Sequence, residues 1–340
     1  MRFRLLGNSG LRVSELCLGT MTFGEEWGWG SSKDESRKVF EAFAEAGGNF
    51  IDTANFYTGG SSETMTGEFL GADRERWVLA TKYTCNMFPK DPNGGGNHRK
   101  NMVQSVEASL KRLKTDYIDL YWLHAWDATT PVEEVMRGLD DLVRAGKVLY
   151  IGVSDTPAWE ISRANTIAEL RGWTPFVGLQ IEYSLLERTS ERDLIPMAKQ
   201  MKIGLTAWSP LAAGQLTGKY SASGKADSQR LQQDAPALKD EKNLAIVETV
   251  KAVASQTGKS PAQVALNWVR QRHGFIPIIG ARRLEQVKDN LACVQWSLSE
   301  EQIRKLDDAS AIDLGFPHEF LQRPRIQEVM FGESASLLDR

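Results

Sequence analysis

Short apolar runs that end in polar or glycine residues, each followed by a stretch of helical spacing, recur along most of the chain. The runs predict eight strands, at 15–19, 50–52, 77–82, 117–124, 148–153, 177–181, 203–208 and 275–279. Helices are expected between them. One begins near Asp34 and stops at the pair Gly47 and Gly48, and others cover 62–70 and 99–113. Pro131 opens a helix that stops at Gly146, and Pro157 opens the next, with Thr156 as its candidate cap. Later helices cover 191–201, 242–256, 261–271 behind Ser260, and 284–291. Ahead of all these, 3–6 and 11–13 flank a turn of Gly7, Asn8, Ser9 and Gly10, a hairpin suited to plugging one end of a larger body.

Strands and helices alternating at intervals of roughly 30 residues argue for a parallel sheet. Eight units favour a sheet closed on itself over a doubly wound one. The G-x-G-x-x-G turn that a doubly wound dinucleotide fold carries after an early strand is missing. The expected fold is an α/β (β/α)8 TIM barrel, one domain over 1–340, with an N-terminal β-hairpin at 1–13 and a long polar loop at 214–240 after the seventh strand.

Composition narrows the function classes without naming one. With 41% hydrophobic and 25% charged residues the chain is of ordinary globular type, and a net charge of -3 leaves no surplus of cations for a phosphate backbone, so nucleic acid is not an expected partner. Cys17, Cys85 and Cys293 lie far apart with no C-x-x-C pair, as suits a reducing compartment. No apolar run approaches about 18 residues, and 1–10 lacks the apolar block of a leader, so a cytoplasmic protein without membrane contact is expected.

In such a barrel the reaction site lies at the C-terminal strand ends. Those ends carry Asp52, Lys82, His124, Ser154 with Asp155, Gln180, Ser209 and Gly280, and Tyr57 stands five residues beyond Asp52. Singly, each has an ordinary explanation as a solvated charge, a packed ring or a cap. A Tyr, Lys, Asp and His on one rim suit carbonyl reduction, in which a hydride leaves negative charge on oxygen that must be protonated. Tyr57 is the expected acid and Lys82 the ammonium that lowers the phenol's pKa. Asp52 anchors Lys82, and His124 either holds the carbonyl oxygen in place or shares in the proton path.

Seven blocks then carry a resemblance. GNFIDTANFY, ATK ending at Lys82, DLYWLH ending at His124, IGVSD, LQIEYSLLER, AWSPLAAGQLTGKY and IIGARRLEQVKDN together resemble the aldo-keto reductase superfamily. The wording is most similar to its aryl-alcohol dehydrogenase and potassium-channel beta-subunit branch. The resemblance implies catalytic roles for Asp52, Tyr57, Lys82 and His124. It also implies a nicotinamide cofactor bound across the rim, NADP(H) preferred over NAD(H). Thr20, Met21 and Asp52 are implied to bind the cofactor, and Ser154, Asp155 and Gln180 fall at its nicotinamide end, with Trp208 where shorter relatives stack a Tyr. Ser209, Pro210, Leu211, Gly214, Leu216, Lys219 and Arg230 would follow the pyrophosphate, where free backbone N–H groups can approach phosphate oxygens. Gly280, Ala281, Arg282, Gln286, Asp289 and Asn290 form the far end, with Arg282 the expected phosphate partner.

Ten tryptophans are many for this length, and Trp27, Trp29 and Trp126 fall in rim loops. With Tyr57 and His124, Trp27 and Trp126 make an expected pocket for an aromatic or otherwise apolar aldehyde or ketone. The tail at 313–340 is expected to cover the rim, as such segments do in the family. Two rivals stand beside the reductase. A nucleotide-sensing regulatory subunit would keep barrel and cofactor with little turnover, but relatives of that kind commonly have Asn where His124 stands. A two-carboxylate barrel hydrolase lacks its second carboxylate, and no metal-ligand motif such as H-E-x-x-H is present. Assembly into a homo-oligomer is left open.

Overall fold

The computed structural model describes residues 1–218 and 240–337, with no side-chain detail at 333, 335 and 336. Lys219 and Arg230 therefore lie outside the described residues. Strand β1 (Phe3–Leu5) pairs antiparallel with β2 (Arg12–Ser14) as the expected hairpin. The barrel strands are β3 (Cys17–Gly19), β4 (Phe50–Asp52), β5 (Val78–Tyr83), β6 (Ile118–Leu123), β7 (Val148–Ser154), β8 (Phe176–Glu182), β9 (Gly204–Trp208) and β10 (Ile276–Ile279). They run parallel in sequence order, and β10 pairs with β3 to close the (β/α)8 TIM barrel.

Side-chain caps start some of the helices. Ser32 accepts from the Glu35 N–H to start α1 (Lys33–Glu45). Then come α2 (Ser61–Leu70), α3 (Arg99–Leu113), α4 (Val132–Arg144), α5 (Ala158–Arg171) and α6 (Leu194–Gln200). After the undescribed stretch come α7 (Glu241–Thr257), α8 (Pro261–Gln271) capped by Ser260, α9 (Leu284–Leu291) and α10 (Glu300–Ala309). One expected cap is corrected. Thr156 does not cap α5, because its hydroxyl donates to the Ser154 carbonyl at 2.8 Å and Pro157 occupies the cap position.

Two apolar layers hold these elements. Between strands and helices lie Phe40, Phe43, Met102, Leu139, Ile161 and Leu266, among others. Inside the barrel floor a second cluster gathers Leu6, Val13, Phe50, Leu120, Trp122 and Ile276, so the hairpin does plug the N-terminal end. Its turn residue Gly7 sits at φ +55, and a Cβ there would lie 2.3 Å from the Val177 carbonyl. Trp122 fills the interior opposite Gly152, where an added Cβ would lie 2.3 Å from the indole ring.

The LQIEYSLLER block is a brace. Tyr183 stacks on Phe275 at 4.4 Å between centroids and donates to Glu191 at 2.6 Å. Arg188 holds Glu191 at 2.8 Å and reaches Ser310 at 2.8 Å, which ties the loop after β8 to the end of α10. The start of the tail is held by the same loop, because Arg192 donates to the Asp313 carbonyl at 2.8 Å. Beyond it, α11 (His318–Gln322) and α12 (Pro324–Phe331) follow, with Phe316 and Val329 exposed. Among the described residues no helix is long and apolar enough to cross a membrane.

The packing around Trp122 makes the floor intolerant of added volume. Gly152→Ala is expected to lower the unfolding free energy by about 1–3 kcal/mol. At Gly10 an added Cβ meets nothing within 4 Å, and Gly10→Ala is expected to stay within about 0.5 kcal/mol of the parent. Urea denaturation of both variants checks the contrast.

Candidate active site

Asp52 ends β4, Lys82 is the penultimate residue of β5, and Gln180 lies near the end of β8. All three point inward at the C-terminal end, where they are 2%, 0% and 3% exposed. The Lys82 ammonium forms an ion pair with Asp52 and donates to the Thr53 carbonyl and to the Tyr57 phenol oxygen, both at 2.9 Å. Its three N–H bonds thus find three acceptors. The second Asp52 oxygen accepts from the Gln180 amide at 3.0 Å. Although burial opposes the charge, Asp52 and Tyr57 hold the ammonium above its ordinary pKa, so Lys82 is a cation.

Tyr57 stands on a short turn after β4, pinned where Thr58, at φ 48, donates its hydroxyl to the Phe23 carbonyl at 2.7 Å. Lys82 pulls the phenol's pKa down as expected, but that pull does not set the net shift. Burial outweighs the pull of Lys82, whose charge Asp52 offsets, and the phenol titrates above its ordinary 10.0. The ammonium donates to the phenol oxygen, so the phenolic proton is left for a further acceptor.

The His124 ring meets Tyr57 edge-on at 5.9 Å. Trp27 packs edge-on against Tyr57 at 6.4 Å and touches both Trp29 and Phe56 at 5.5 Å, which forms one aromatic wall. Trp126 is half-buried, its backbone N–H donating to the Asp155 carbonyl at 3.2 Å. The loop carrying it is gathered by Asp127, whose carboxylate accepts from Asn97, Thr129 and Thr130 at 2.7–2.9 Å. Burial raises that carboxyl, but these hydrogen bonds win and bring it down to about 2.

The expected cofactor residues divide into several groups. Ser154 is buried and pairs in register with Gln180. Asp155, at φ 42, accepts from the Trp208 indole at 3.0 Å. Thr20 is fully buried, its N–H and hydroxyl held by the Asp52 carbonyl and Ser62, and Met21 is half-buried. Ser209 sits at φ 53, followed by the buried Pro210 and half-buried Leu211. The expected free backbone donors of this loop are corrected. The N–H groups of Ala212, Ala213, Gly214 and Leu216 all donate within the turn, to Ser209 or Leu211, and the Leu216 side chain is core.

At the far end, Arg282 donates to the Trp29 carbonyl at 3.3 Å and takes the Gln286 side chain on its N–H at 2.9 Å. Thr22 holds the Ala281 carbonyl at 2.8 Å, and Asn290 holds the Gly280 carbonyl at 3.3 Å. Asp289 faces α8 instead, accepting from Ser260 at 2.7 Å and Gln263 at 2.6 Å. Among the described residues no cluster of three or more His, Cys, Asp or Glu is arranged to hold a metal ion. Three contributors were not anticipated: the Thr53 carbonyl, Phe56, and Cys85, whose sulfur lies 3.4 Å from His124 Nδ1. Only the place of Cys85 three residues after Lys82 signalled it.

The chain matches the Aldo/keto reductase family over residues 15–311 and belongs to it. It is 43% identical over 330 residues to a norsolorinic acid reductase of Aspergillus flavus, covering 94% of this chain and 83% of the relative. It is 39% identical over 336 residues to an aryl-alcohol dehydrogenase [NADP(+)] of Phanerodontia chrysosporium, covering 93% and 87%. The protein is an NAD(P)H-dependent oxidoreductase acting on small-molecule carbonyl and alcohol groups.

Burial, with Lys82 adding to it, takes the His124 imidazole from its ordinary 6.5 down to about 3. Between those values the unfolded chain binds a proton that the folded chain does not, so stability rises with pH there and levels above 6.5. Urea midpoints measured from about pH 4 to pH 7 should therefore climb less steeply for His124→Asn than for the parent. Equal slopes would show that the ring is not held neutral.

Proposed function

We propose that the protein reduces aromatic or otherwise apolar aldehydes and ketones to alcohols, reversibly, with NADPH as the preferred cofactor and Tyr57 as the proton donor. The observation that carries this reading is the buried Lys82 ammonium donating to the phenol oxygen at 2.9 Å, beside His124 and an aromatic wall. The relatives' names agree in class, and one of them names NADP(+).

The residues at hand suit a nicotinamide dinucleotide. Gln180 gives its amide N–H to Asp52 and keeps an amide oxygen beside buried Ser154, a pair matched to a carboxamide. The Trp208 ring is half-buried at the same rim. Arg282 forms no ion pair with a described carboxylate, and an added Cβ at Gly280 meets nothing within 4 Å, so a phosphate has both a cation and room. Asp289, engaged with α8, has no part in this assignment. The bound cofactor supplies the hydride.

The chain's own residues handle the oxygen. As negative charge grows on the carbonyl oxygen, Tyr57 gives up its proton, and the phenolate left behind keeps the Lys82 N–H already aimed at it. Asp52 and Gln180 hold that ammonium in place throughout. His124, uncharged, orients the oxygen by hydrogen bonding without adding a second cation next to Lys82. Trp27, Phe56 and Trp126 exclude water and favour flat apolar substrates.

Tyr57→Phe is expected to lower kcat for an aromatic aldehyde by about 10²–10⁴-fold while leaving NADPH affinity nearly unchanged. NADPH absorbance and cofactor titration read the two effects. Tight NADPH binding with no consumption by the parent, across aromatic and aliphatic aldehydes, would point to a nucleotide-sensing protein instead. Arg282→Ala is expected to narrow the preference for NADPH over NADH by about tenfold or more. An unchanged ratio of the two dissociation constants would remove the phosphate assignment.

A further inference from the structure

Cys85 follows β5 in a segment that contacts His124 three times. The His124 backbone N–H donates to the Tyr83 carbonyl and to Thr84 Oγ1, both at 3.3 Å, and the ring meets Cys85 Sγ at 3.4 Å through Nδ1. Thr84 sits at φ 100, a conformation that residues with a side chain rarely adopt, and its hydroxyl also accepts from Asn97 at 2.9 Å. The bend that places Cys85 against the imidazole is therefore held by the surrounding loop.

A neutral imidazole has one N–H and one lone-pair nitrogen, and what one nitrogen bonds decides what the other presents. Nδ1 has the thiol. Nε2 forms no hydrogen bond with a described residue. Burial pushes the Cys85 thiol above its ordinary value and brings His124 down to about 3, so both groups are uncharged near neutral pH. An uncharged S–H is a weak donor and a still weaker acceptor, whereas an imidazole lone pair accepts well. The favoured pairing is S–H to Nδ1, with the ring proton on Nε2.

We propose that Cys85 is a positioning residue that holds His124 in the Nε2–H tautomer, so that the ring meets a carbonyl oxygen as a donor beside Tyr57. The opposite tautomer would set a lone pair against the oxygen's own lone pairs. This inference rests on the reading of the site as a carbonyl-reduction centre for its catalytic consequence, but the tautomer itself is a property of the resting protein.

The test is nitrogen NMR of protein carrying labelled histidine, with the His124 signals identified through His124→Asn. The parent should show Nε2 protonated and Nδ1 bare, near neutral pH and without any ligand. Cys85→Ala should move both signals toward intermediate values, as tautomers interchange, and lower kcat/KM for an aromatic aldehyde about 3–10-fold. Cys85→Ser, which keeps a donor, should restore the parent tautomer and most of the activity. A protonated Nδ1 in the parent, or a parent-like tautomer in Cys85→Ala, would overturn the proposal. Parent signals as expected with no aldehyde turnover would uphold the tautomer assignment and overturn the reduction reading instead.

Discussion

The structure depends on keeping one ammonium inside a barrel. Lys82 has no exposed surface, and an unpaired charge there would cost several kcal/mol. Three acceptors from one neighbouring stretch remove that cost: the Asp52 carboxylate, the Thr53 carbonyl and the Tyr57 phenol. Gln180, from the other side of the barrel, completes Asp52. The sharp turn after β4 brings Tyr57 to this cation, and buried Gln180 holds the carboxylate that pairs with it. The same arrangement leaves a phenolic proton free to leave.

Stability and chemistry occupy opposite ends of the barrel. The floor is close-packed, with Trp122 against Gly152 and Gly178 and the hairpin seated at Gly7. The rim holds backbone strain next to the chemistry. Thr58, Thr84, Asp155 and Ser209 all have positive φ, and each adjoins a residue assigned to the site or belongs to it. Such conformations persist only where surrounding bonds over-determine them. Asp127 and Thr58 supply those bonds for the loops that carry Trp126 and Tyr57.

The electrostatics of the site are cooperative. An isolated phenol near a lysine would become more acidic, but here the cation is largely answered by Asp52 and the ring is dry, so Tyr57 stays protonated. Burial, with the same cation adding to it, keeps His124 neutral. One cation, one carboxylate and two neutral proton-bearing groups form a site that can receive negative charge without already being flooded with positive charge.

Much of this was legible along the chain. Phe50, Ile51 and Asp52 form a strand with the boundaries that their pattern predicts, and the helices over 99–113 and 284–291 begin and end as their spacing predicts. Hydrophobic period and capping are local properties, so the sequence by itself determined the eight units, the closed barrel and the rim that holds Asp52, Lys82 and His124. What it did not determine depends on distant partners. Thr156 looked like a cap until Ser154 offered its carbonyl, and the loop after β9 looked like a row of free donors until Ser209 and Leu211 accepted from it. Asp289 turned to Ser260 and Gln263 on another helix, and Cys85 met His124 from the neighbouring strand end. Hydrogen bonds and desolvation are set by which groups share a few ångströms of space. Only the closed barrel decided that.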